Sequence, residues 1–222
     1  MDTPIPKSRL RIELLALATL AIVVLVLFPQ RPTFVDVALA LVGLVLLGLN
    51  INFTKTVVWG QFPPSRGKKD RIRACLIAVF VLTLPLMLVC LGTGLAIVYA
   101  SHGWDGAIDR ISNWHILVAI CLFVPWALLQ QTLFQFYLLG RLLSLLPSNL
   151  AITCTGIAFG IVHLPDVWIT LATAAVGIVW TYLYYRYRVL VPLALSHASL
   201  GSTFYYWVYG RDLFEAWQAF LH

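Results

Sequence analysis

Residues 114–146 read WHILVAICLFVPWALLQQTLFQFYLLGRLLSLL, a run whose one formal charge is Arg141. As a continuous α-helix it would extend ~48 Å, against a hydrocarbon core of ~30 Å. The run is therefore expected to bend near Pro125 or to leave the membrane. Similar apolar runs lie near 12–28, 35–53, 74–100, 150–164, 167–185 and 189–209. They predict an all-α, polytopic membrane protein with about seven transmembrane helices, six to eight once the shortness of 150–164 is allowed for. That short run reads as half of a discontinuous element.

Composition points the same way. Of 222 residues, 61% are hydrophobic and 11% charged, and the mean hydropathy is +0.90; a soluble domain carries roughly 45–50% apolar and about 25% charged residues. A soluble globule is excluded, and 1–222 is expected to form a single integral membrane domain with the lipid bilayer as solvent. The net charge of +6 does not indicate nucleic acid, because the basic residues sit in connectors between apolar runs. With the N-terminus in the cytoplasm, Lys7, Arg9 and Arg11, the cluster Lys55 to Arg73, Arg141, Arg186 and Arg188 all fall inside, leaving Arg31, Arg110 and Arg211 outside. That bias is the positive-inside pattern. A plasma or inner membrane is the expected location. The leader before Ile12 lacks a small-residue cleavage pattern after Phe28, so the first run is expected to be a retained span. The tail 211–222 is expected to lie along the outer interface. Cys75, Cys90, Cys121 and Cys154 form no CxxC pair and read as packing residues. No cofactor is implied.

In so apolar a chain the polar residues are informative, since an unpaired amide, imidazole or charge in hydrocarbon costs kilocalories. One cluster is Gln130, Gln131 and Gln135. On an α-helix Gln131 and Gln135 lie ~40° apart, with Gln130 beside them, so three carboxamides converge. A second is Phe159-Gly-Ile-Val-His163-Leu-Pro-Asp166, preceded by Gly156 and Gly160 at a GxxxG spacing that admits a neighbouring helix. A third is Ser196-His197, about eight residues beyond Arg188. All nine acidic residues fall at the ends of runs or in connectors, and Asp166 is the carboxylate nearest in sequence to His163. Counting helical rise inward from the two run ends puts Gln130 and His163 at different depths.

Taken in order, Gln130-Gln131-Thr-Leu-Phe-Gln135, Phe159-Gly-Ile-Val-His163 and His197-Ala-Ser-Leu-Gly201 resemble the EExxxR, FxxxH and HxxxN/H motifs of the CPBP intramembrane proteases. This is the CAAX protease and bacteriocin-processing family, which includes the Ras-converting endopeptidase. The resemblance covers roughly residues 75–210. It implies a helical membrane scaffold that hydrolyses prenylated or hydrophobic peptides, with Gln130 and Gln131 at the two glutamates, Gln135 at the arginine, and His163 and His197 at the functional histidines. The second motif is complete, whereas Gly201 replaces the usual Asn or His and the first motif has become QQxxxQ. A carboxamide can orient water or donate to an oxyanion, but it has no protonation step near neutral pH and is no general base. Loss of Glu and Arg together leaves a neutral network. The expectation is therefore a peptidase relative with reduced, altered or lost hydrolysis that binds membrane-embedded or lipidated peptides or proteins, Asp166 being a possible substitute acid or base. The alternative is a small membrane enzyme or accessory subunit in which His163 and His197 bind a metal or a lipid headgroup.

Overall fold

A computed structural model describes residues 6–27 and 67–212, with isolated positions at 41, 42, 45, 48, 214, 215, 218 and 219. Among these residues every regular element is helical: α1 (Lys7–Leu27), α2 (Lys68–Ser112), α3 (His115–Gln131), a π-helical segment (Thr132–Leu138), α4 (Leu139–Leu143), α5 (Ser148–Ile161), α6 (Val167–Tyr187), α7 (Val191–Thr203) and a second π-helical segment (Phe204–Val208). The chain is a helical integral membrane protein. Four stretches among the described residues are long and apolar enough to cross a membrane: α1, α2, the run from His115 to Leu143, and α6. Leu15, Val26, Phe80, Val81, Leu117 and Trp168 on these helices are all more than half exposed, an apolar surface that lipid must cover. The expected span at 35–53 lies outside the described residues apart from helical positions at Leu41, Val42, Val45 and Gly48.

The helix boundaries follow local chemistry. Leu10 N–H donates to the Pro6 carbonyl, and Ala151 N–H to that of Pro147, so a proline precedes both α1 and α5. Asp166 caps α6 by accepting from the Ile169 N–H at 2.9 Å. Arg188 ends α6 in the left-handed region (φ 58°), with its N–H on the Tyr184 carbonyl. Where the sequence suggested a connector after residue 100, helix continues to Ser112, broken only at Gly103 (φ 67°, ψ −163°). A residue with a side chain is disfavoured in that conformation, so the break falls on the glycine. The run expected over 150–164 forms a helix of only 14 residues.

The described chain divides into two compact units, Met1–Lys68 with Leu129–Leu190 and Lys69–Leu128 with Val191–His222. In the first, α5 and α6 pack through glycine. A Cβ on Gly156 would fall 2.4 Å from the Ile178 backbone nitrogen, and one on Gly160 would fall 2.6 Å from the Thr170 carbonyl oxygen. The GxxxG spacing thus brings two backbones together, as expected for lipid-embedded helices. In the second, Ala127, Ala194 and Ala198 form a small-residue core flanked by Phe123 and Val124, and Thr83 and Ser196 share a buried hydrogen bond of 2.6 Å.

Candidate functional site

The three glutamines lie in the first unit where α3 passes into the π-helical segment. The sequence suggested unbroken α-helix here. The wider i→i+5 turn instead begins at Thr132, and it brings positions four apart closer to overlay than an α-helix does; π-segments recur at functional sites. Gln131 and Gln135 are wholly buried and Gln130 is partly buried. Gln135 Nε2 donates to Thr181 Oγ1 at 3.4 Å, and that hydroxyl donates to the Gly177 carbonyl at 2.7 Å. Gln135 Oε1, both amide atoms of Gln131 and Gln130 Oε1 have no hydrogen-bond partner among the described residues. Buried polar atoms are almost always paired, so a group of orphaned carboxamide atoms calls for a ligand or ordered water.

Phe134, within the same π-segment, stands edge-on to Phe159 at 5.2 Å. Phe159 in turn meets the His163 ring at 5.4 Å and Trp180 at 5.7 Å. The first two clusters are thus joined by aromatic contacts. α5 packs beside the π-segment, so Phe134 and Phe159 meet although counting along the helices puts Gln130 and His163 at different depths. His163 follows the last turn of α5, and its Nδ1 lies 2.9 Å from the Phe159 carbonyl. A carbonyl only accepts, so Nδ1 carries the hydrogen and the lone pair of the neutral ring is on Nε2. On the neutral ring Nε2 is then the nitrogen that can act as base or ligand. Asp166 Oδ1 is engaged in capping α6.

His197 belongs to the second unit. It is buried on α7, with the Phe123 ring edge-on at 5.7 Å. Gly201, one turn further, faces the same ring: a Cβ there would lie 3.1 Å from Phe123 Cε1. Phe123 therefore occupies the space that a larger third-motif side chain would enter. Ser202 Oγ is buried with no partner among the described residues.

Sequence reasoning missed one cluster. Arg141, counted there as a connector charge, is only 4% exposed, and Glu13 of α1, counted as a run-end acid, pairs with it at 3.0 Å. The Tyr137 hydroxyl also donates to Glu13, and the Arg141 guanidinium lies over the Tyr137 ring at 4.9 Å. The i, i+4 spacing of Tyr137 and Arg141 was the available signal; their partner Glu13, 124 and 128 residues distant respectively, was not.

Among the described residues, the group of at least three His, Cys, Asp or Glu side chains close enough to share a metal ion is His115, Asp212 and Glu215. Neither His163 nor His197 is among them.

No curated protein and no solved structure matches the chain. Residues 111–202, which contain Gln130, Gln131, Gln135, His163 and His197, match the family described as type II CAAX prenyl endopeptidase Rce1-like. Over that segment the chain is thus similar to CAAX-protease-like membrane proteins, and its long apolar helices fit such a scaffold.

Proposed function

We propose that this protein binds membrane-embedded or lipidated peptides through its carboxamide cluster and hydrolyses them weakly or not at all. The observation that carries this reading is the set of buried, unpartnered amide atoms on Gln131 and Gln135. A carboxamide offers both N–H donors and a carbonyl acceptor, the complement of a peptide group, and it needs no counter-ion in a low-dielectric setting. It cannot take a proton from water at neutral pH, which the hydrolytic cycle of a glutamate-dependent peptidase requires. The type II CAAX prenyl endopeptidase description of residues 111–202 favours a prenylated C-terminal peptide as the occupant. In this reading 1–222 acts as one membrane domain with a core over 75–210. It resides in a plasma or inner membrane with its N-terminus in the cytoplasm, as the basic residues favour.

A second reading, residual peptidase activity, draws on the His163 tautomer. With Nε2 as the base, His163 could activate water without a glutamate, Asp166 assisting.

The test is capture of a fluorescent farnesylated peptide by the full chain in nanodiscs. Binding that falls at least tenfold in Gln131→Leu, with the variant still folded, supports the proposal. Equal binding by wild type and Gln131→Leu, or no binding by wild type, overturns it.

A further inference from the structure

Within the second unit, the start of α3 and the segment after the second π-helix bring together a set of ligand-type side chains remote from the glutamines in sequence. His115 opens α3, its backbone N–H held by Asn113 Oδ1 at 2.8 Å. Its Nδ1 lies 2.7 Å from Asp212 Oδ2. The other oxygen of Asp212 accepts from the backbone N–H groups of Phe214 (2.9 Å) and Glu215 (3.2 Å). That turn carries the Glu215 carboxylate back toward the pair, and one ligand atom from each of the three side chains lies within 4.8 Å of the others. The Asp212 side chain is 5% exposed and that of His115 20%. Rings of Trp114 and Phe214 stand 5.0 and 4.7 Å from the imidazole, an apolar collar that restricts water.

We propose that His115, Asp212 and Glu215 form a binding site for one divalent transition-metal ion, zinc by donor type. An ion pair alone accounts for His115 and Asp212 but not for Glu215. Glu215, exposed to water, sets a second carboxylate beside Asp212, and an ion shared by the three side chains would offset the repulsion between the two anions. Imidazole nitrogen and carboxylate oxygens are all donors that zinc accepts, three protein ligands leave a fourth position for water, and the imidazole disfavours calcium and magnesium. The ion takes the place of the hydrogen between His115 Nδ1 and Asp212 Oδ2; the neutral ring keeps its single hydrogen, now on Nε2, and binds through the Nδ1 lone pair without releasing a proton. The backbone bonds to Asp212 Oδ1 hold its carboxylate in orientation, as outer-shell partners do at metal sites. When bound, the ion clips the segment after Val208 to the start of α3.

The test is titration of untagged, chelator-treated full-length protein in detergent with Co2+, read by its visible absorption, followed by competition with Zn2+. One Co2+ per chain, displaced by Zn2+, is expected. Binding should weaken at least tenfold in both His115→Ala and Glu215→Gln and persist in His163→Ala. Glu215 is exposed, so Glu215→Gln keeps the test valid if His115→Ala fails to fold. No stoichiometric ion, or binding unchanged in Glu215→Gln, overturns the proposal.

Discussion

Gln135 and Thr181, 46 residues apart in sequence and both wholly buried, meet through a 3.4 Å hydrogen bond from Nε2 to Oγ1. The bond anchors one carboxamide on α6 while its Oε1 stays unpartnered, and Gln131, one turn before it, has neither amide atom paired. Evolutionary stability alone would favour an apolar side chain at such a position, since an unsatisfied buried amide costs about 1–3 kcal/mol. Replacing Gln131 by Leu removes that cost at similar volume. Thermal unfolding of Gln131→Leu in detergent should show a midpoint at or above wild type, although peptide capture is lost.

The α5–α6 contact depends on two glycines. Gly156→Val places a side chain onto the Ile178 backbone, and Gly160→Val onto Thr170 and Ala174. Each should destabilise by at least about 1–3 kcal/mol, the usual range for overpacking. Gly92 on α2 has nothing within 4 Å of an added Cβ. Gly92→Ala should therefore be neutral or stabilising, by up to ~1 kcal/mol of helix propensity. Denaturant midpoints for the three variants check the contrast.

Glu13 and Arg141 fasten α1 to the helix that carries the glutamines. Glu13→Gln leaves the guanidinium of a nearly buried arginine without its anion, and breaking such a pair costs ~3 kcal/mol. The double variant Glu13→Leu with Arg141→Met removes both charges and should recover most of the loss. A double-mutant cycle on unfolding midpoints measures the coupling.

Gly201 and Phe123 form a steric pair. Gly201→Asn, which restores the third-motif pattern, pushes a Cβ to within 3.1 Å of the Phe123 ring. The single substitution should destabilise by about 1–3 kcal/mol. Combining it with Phe123→Ala relieves the contact, so the Gly201→Asn step should be milder in the Phe123→Ala background than in wild type, as read by thermal unfolding.

Much of this architecture was legible because lipid imposes a simple rule: long apolar runs must be helices. The continuous helical stretch His115–Leu143, α5 and α6 fall within a few residues of the apolar runs, and Gly156 and Gly160 announced a close helix contact. The π-turn at Thr132 was not legible, since no residue type marks a change from i→i+4 to i→i+5 bonding. Nor was the burial of Arg141, which in sequence resembles any basic residue at a span end; only the fold brings Glu13 to it. The resemblance to the family's motifs singled out Gln130, Gln131, Gln135, His163 and His197 as candidates, and all five fall within the matched segment 111–202. The linkage of the first two clusters through Phe134 and Phe159 required coordinates, because edge-to-face contacts depend on helix rotation rather than on sequence interval.

The central claim is that a neutral carboxamide site holds a peptide and leaves most of it uncut. The direct measurement is mass spectrometry of a farnesylated CAAX peptide incubated with a molar excess of full-length protein in nanodiscs until binding is complete. The account predicts that most of the bound peptide is recovered intact, and that it is released when Gln131→Leu replaces wild type. Recovery of most of the peptide cleaved after its prenylated cysteine, with cleavage abolished by His163→Ala, would contradict it.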